Sequence, residues 1–270
     1  MAYTLNQITP VKLIENRHNL KSYLQSQLSP LLSKRSWMQD WDQLARRFQL
    51  LKFEVLSEPE IHSYSWNQEQ VSSIIHETIE NVEKYLHFQH LNITIVPALP
   101  FPWFQKYDQS LWTNGYTVGA ATIVLAIPPD PDPVFLRYML AHEMHHASPE
   151  NPIFNLTLDT FTLADWYKME GGAEYFSLSL YDDKRWWKDH FTEEAEQAYQ
   201  EIAQKNIGTT DDRLKSKICF GNQDMGIPVF AGYSFAYKMV RQYAEQQNVR
   251  NYRDLYKANP LDIFNTYITK

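Results

Sequence analysis

Residues 132–147 read DPVFLRYMLAHEMHHA. Asp132 followed by Pro133 suits the cap and first position of a helix. An aspartate oxygen accepts orphaned backbone N–H groups, and proline lacks the N–H that a first turn cannot use. From there Phe135, Met139, His142 and His146 recur at spacings of four, three and four, which places them on one helical face. That face begins apolar, so it points inward, and it ends in two imidazoles. Residues four apart on a helix are neighbours, so His142 and His146 can converge on one ion.

Outward from this helix, the chain just upstream is rich in β-branched residues punctuated by glycine and proline. LNITIVPA (91–98) and GYTVGAATIVLAI (115–127) are its expected strands. Downstream, apolar spacing predicts helices near 158–182, 192–206 and 230–248, with a short one at 251–267. Further upstream, Val71, Ile75, Ile79, Val82 and Leu86 form one side of a long amphipathic helix. Residues 1–60 also read as helical, with Trp37, Trp41, Leu44, Phe48 and Leu51 as a packing stripe and a boundary near Pro59. The expectation is an N-terminal helical segment, 1–60, packed on a domain of 61–270. The fold class is α+β, mostly helical, with a small sheet preceding the histidine-bearing helix.

His142, Glu143 and His146 spell His-Glu-x-x-His. In that helical pattern two imidazoles hold zinc and the glutamate serves as general base of a peptidase. Chance places it in about one such chain in fifty, and its inward helical setting lowers the odds further. The bland alternative is a pair of buried histidines satisfied by backbone partners. His145 is expected beside the ligands or facing substrate; a partly exposed surface histidine is the other reading. Two histidines and a water leave tetrahedral zinc one protein ligand short. LADWYKMEGGAEYFSLSLY (163–181) offers Glu170 and Glu174, four apart on one face. Gly171 and Gly172 each cost a helix about 1 kcal/mol relative to alanine. A close approach by the other metal-bearing helix would explain them, and solvated surface charges are the rival reading of the two glutamates.

Composition bounds the rest. With 270 residues, 44% hydrophobic and 14% aromatic, and only 8 glycines, the chain can bury a sizeable core. A formal charge of -7 and no basic stripe argue against nucleic-acid binding. One cysteine, Cys219, excludes an internal disulfide and a cysteine-built zinc cage, which suits a reducing compartment. The first residues carry no secretory signal pattern, and ATIVLAI (121–127) is too short to span a bilayer. A cytoplasmic protein without a membrane partner is the expectation; oligomeric state is open.

HEMHH, then EGGAEYF some two dozen residues later, then GYSFAYKMV resemble a bacterial family of predicted zinc-dependent proteases that includes a regulator of a small heat-shock protein. The resemblance covers roughly residues 65–265. More broadly it looks like the gluzincin group, in which the glutamate opening an E-G-x-A segment is the third ligand. The resemblance implies a zincin-like fold and one Zn2+ held by His142, His146 and Glu170, with Glu143 as base. It implies that Glu174 hydrogen-bonds a metal-bound imidazole and fixes its orientation. It also implies an oxyanion donor downstream, with Tyr233, just after Gly232, preferred to Tyr237. Gly172 stands at the variable position of the segment, and Ala236 stands where a second glycine is expected.

The substrate expected is a peptide or protein, bound in extended form along an exposed strand edge. Gly119 and Ala120 are assigned to that edge because small residues allow close approach; an inward, fully paired strand is the rival reading. Trp103, Phe104 and Trp112 would line a subsite or pack in the core. Two alternatives stand beside the peptidase: a zinc-containing regulatory protein with little turnover, and a zinc hydrolase of a non-peptide amide or ester.

Overall fold

The computed structural model describes residues 2–33, 38–101 and 106–269, so Trp37, Trp103 and Phe104 lie outside the described residues. Two compact units divide the chain, 1–149 and 150–270. Its class is α+β: helices dominate, and one four-stranded mixed sheet accompanies them.

The first unit runs β1 (Ala2–Gln7), α1 (Pro10–Glu15), α2 (Leu20–Leu28), α3 (Trp41–Arg47), α4 (Glu58–His62) and α5 (Gln68–Val82). There follow β2 (His90–Pro97), β3 (Asn114–Gly119), β4 (Thr122–Ile127) and α6 (Pro133–Ala147). Strand order is β1-β2-β4-β3; β1, β2 and β4 are parallel, and β3 is antiparallel to β4 on the outer edge. Alternation along the strands divides the side chains between two faces. Val96, Val124 and Ala126 join Ile8, Leu24, Leu28, Leu44, Phe48 and Phe53 in one apolar cluster, so the N-terminal helices cover one face. On the other, α6 lies against β3 and β4, with α5 beside it.

Asp132 caps α6 as expected, its Oδ1 accepting from the Val134 and Phe135 amides at 2.9 and 2.8 Å. The helix is buried on more than the one expected face: Leu136, Leu140, Ala141 and Met144 are as inaccessible as Phe135. A helix apolar on most sides belongs in an interior.

Two local expectations are corrected. Residues 2–7 form a strand, not a helix. AYTLNQ lacks apolar alternation because it is an edge strand with one neighbour, and backbone pairing with β2 decides its conformation. Residues 115–127 are not one strand but a hairpin, reversing at Ala120 and Ala121. Ala121 adopts φ 56°, which alanine rarely does. Two hydrogen bonds of 2.8 Å hold it there: its N–H donates to the Ala147 carbonyl ending α6, and its carbonyl accepts from Asn92.

The second unit is helical: α7 (Leu163–Leu180), α8 (Glu193–Asn206), α9 (Asp212–Phe220), α10 (Ala231–Gln246), α11 (Asp254–Lys257) and α12 (Pro260–Ile268). Its centre is α7 packed on α10, and α12 packs on both. A β-carbon on Gly171 would lie 2.6 Å from Val240 Cγ2, with the Ala236 carbonyl oxygen closer still. The neighbour pressed against Gly171 is α10. Helix α9 was not expected at all, and the expected 251–267 helix is two short ones, the second starting at Pro260. Among the described residues no helix is long and apolar enough to cross a membrane.

Candidate metal centre

On α6 the four-residue spacing turns the His142 and His146 rings edge to face, with centroids 4.6 Å apart. Their Nε2 atoms lie 3.0 Å from each other. Two ligands at zinc–nitrogen distances on a tetrahedral ion sit about 3.3 Å apart, so this pair is set for a shared cation with little rearrangement. His145 is buried rather than exposed, its ring 6.2 Å from that of His146.

Glu143 is 6% exposed and sits against β3. Thr117 Oγ1 lies 2.7 Å from Glu143 Oε2 and 3.0 Å from the Glu143 carbonyl oxygen, within donating reach of both. Two residues earlier on the same strand face, Gly115 leaves the space the glutamate fills: a β-carbon there would come within 2.5 Å of Oε1. The register of β3 against β4 shifts between Thr117 and Gly119, a bulge directly after the threonine. Bulges bend a strand and re-aim its side chains. Gly119 itself pairs with Thr122, and Ala120 is exposed in the turn. Those two residues therefore close the hairpin at the end of the sheet's outer edge.

In the second unit, Glu170 and Glu174 are both buried on α7, so neither is a solvated surface charge. Glu174 is fully inaccessible, and its Oε2 accepts from Arg185 Nη1 at 2.6 Å. Arg185, itself 4% exposed, also binds Asp183 and stands 4.9 Å over the Tyr237 ring. Burial opposes ionisation of Asp183, but the hydrogen bond and charge of Arg185 prevail and hold its carboxyl below the ordinary range. Removing one member of such a buried pair strands the other charge, at a cost of about 3–5 kcal/mol. Sequence reasoning missed Arg185. The signal available was a basic pair, Lys184 and Arg185, between two aspartates and two tryptophans, with nothing to say which carboxylate the arginine meets. Tyr233 packs edge-on against Trp166, one turn before Glu170, at 5.1 Å. Close by, Cys219 is buried and its thiol is pushed well up, first by burial and then by the charge of Glu170.

Of the residues expected at the centre, three meet. His142, His146 and Glu170, all buried, each present one ligand atom, and these atoms lie within 4.8 Å of one another. Two neutral imidazoles and a carboxylate are a donor set that zinc accepts, and three protein ligands leave a position open for water or substrate.

Such a set, with a glutamate next to one histidine, is of the kind metal-dependent hydrolases use. A family model described as predicted Zn-dependent protease (DUF2268) matches residues 71–265, and the chain belongs to that family. No curated protein and no solved structure gives a significant match. The family and the buried group together point to zinc, and a protease family points to peptide or protein substrates.

Proposed function

We propose that the protein is a gluzincin-type peptidase with a zincin-like fold, binding one Zn2+ per chain through His142, His146 and Glu170. The observation that carries this reading is the convergence of three buried ligand atoms within 4.8 Å. When bound, zinc supplies Lewis acidity, which polarises a carbonyl and acidifies water.

The chain's own residues do the rest. Glu143 accepts a proton from the attacking water and returns it to the departing amine. Its burial beside β3 supports that role, since a base shielded from bulk water keeps its proton for the reaction. Tyr233 donates a hydrogen bond from its phenol to the oxyanion that develops at the scissile carbonyl. Tyr237 is the lesser candidate: its ring is covered by Arg185. Glu174, anchored by Arg185, holds a ligand imidazole in orientation, and His145 stands beside the ligands. Substrate lies extended along the outer edge of β3, the edge that Gly119 and Ala120 end.

The test uses two variants on a fluorogenic random-peptide library, with metal content measured alongside. Glu143→Gln is expected to keep about one zinc per chain and lose hydrolysis, while His146→Ala loses the metal. Full hydrolysis by the glutamine variant would remove Glu143 from the mechanism. Zinc-loaded wild type that cleaves no peptide in the library would favour a regulatory zinc protein instead.

A further inference from the structure

A general base is useful only if its carboxylate stays where the proton will be. Glutamate reaches its carboxylate through three rotatable bonds, and an unrestrained one samples many positions. Misplacing a reacting group by about 1 Å can cost about a hundredfold in rate. The restraint on Glu143 does not come from its own helix. It comes from β3, through two residues that strand alternation puts on the same face.

Gly115 and Thr117 divide the work. Gly115 supplies room, since any β-carbon there would overlap the glutamate side chain. Thr117 supplies the bond, 2.7 Å from Oε2. A hydroxyl has one proton, and Thr117 Oγ1 has two acceptors in reach, both belonging to Glu143. Of the two, the bond to the carboxylate is the shorter, 2.7 Å against 3.0 Å. Among the described residues Oε1 receives no hydrogen bond. One oxygen is tied and the other is left for the reaction.

We propose that Thr117 is the positioning residue of the site: its hydroxyl fixes Glu143 through Oε2 and presents Oε1 to the water whose proton is taken. This rests on the peptidase reading above. Because the tether comes from the edge strand along which substrate is placed, one strand would align both partners of the proton transfer. The bulge just after Thr117 fits this, because it sets the local direction of the strand that carries the hydroxyl.

The experiment compares wild type, Thr117→Val, Thr117→Ser, Glu143→Gln and the Thr117→Val/Glu143→Gln pair, all zinc-loaded, on the fastest-cleaved peptide of the library. Valine keeps the shape of threonine and removes the hydroxyl; serine keeps the hydroxyl. Thr117→Val is expected to lower kcat by about 10- to 100-fold, with KM within about twofold and zinc content unchanged. Thr117→Ser should stay within about threefold of wild type, and valine should cost nothing further once Glu143 is glutamine. A wild-type kcat in the valine variant would overturn the inference. So would a serine variant as impaired as valine, or a rate loss matched by loss of zinc. If wild type cleaves and Glu143→Gln does not, such a result condemns the tether alone. If wild type cleaves nothing, or Glu143→Gln keeps full rate, the peptidase reading fails and the tether fails with it.

Discussion

Gly115 is where the candidate site has least slack. The atoms that a new β-carbon would meet are Cγ, Cδ and Oε1 of Glu143, all side chain and none backbone, so the glutamate can turn aside at modest cost to the fold. Gly115→Ala should therefore separate activity from stability. Hydrolysis is expected to fall by about 10- to 100-fold as the carboxylate is displaced, while the melting temperature moves by only about 1–3 °C. A loss of rate accompanied by gross unfolding in a thermal melt would contradict this. The two glycine effects were not equally legible in the sequence. Gly171 and Gly172 stand out because helices avoid glycine, whereas Gly115 opens a strand, where a glycine looks ordinary. Thr117 was invisible for a related reason: its partner lies 26 residues away, and only the pairing of β3 with α6 joins them. Arg185, 11 residues past Glu174 in a loop, carries no periodic signal at all.

For the elements, spacing carried most of the information. Helices α6, α7 and α10 were readable because apolar residues at three- and four-residue intervals are required to bury one side of a helix. Pairs of polar residues four apart ride on the same geometry, which is why His142 with His146, and Glu170 with Glu174, could be singled out. Strand β1 was unreadable because an edge strand need not alternate, and the β3–β4 turn was hidden by small residues that also suit a strand. The contact between α7 and α10 gives an element-scale prediction. Alanine is the better helix former by about 1 kcal/mol, so Gly171→Ala should stabilise if propensity decided. The Ala236 carbonyl in its path is backbone and cannot move aside. The variant is expected to lose about 1–3 kcal/mol in urea denaturation, as other overpacked interiors do. An unchanged or raised midpoint would show that α7 and α10 can part without penalty.

At the scale of the whole chain, the family match and the folded unit have different limits. The match begins at residue 71, yet β1 and the helices covering one face of the sheet lie before it. Without them Val96, Val118, Val124 and Ala126 would lose their cover from Leu24, Leu44, Phe48 and Phe53. A fragment of 71–265 is expected to collect in the insoluble fraction, or to bind the dye ANS strongly if it stays in solution. A soluble, cooperatively melting fragment would show that the first 70 residues are dispensable to the fold.

The bond from Ala121 to the last carbonyl of α6 gives the hairpin tip an unusual character. Amides at strand reversals ordinarily trade their hydrogen for deuterium quickly. This one is sealed by the helix that bears His146, so its exchange should be slow and should quicken only when that final turn frays. A single slow amide at residue 121 would thus act as a built-in gauge of how firmly the histidine end of α6 is wound.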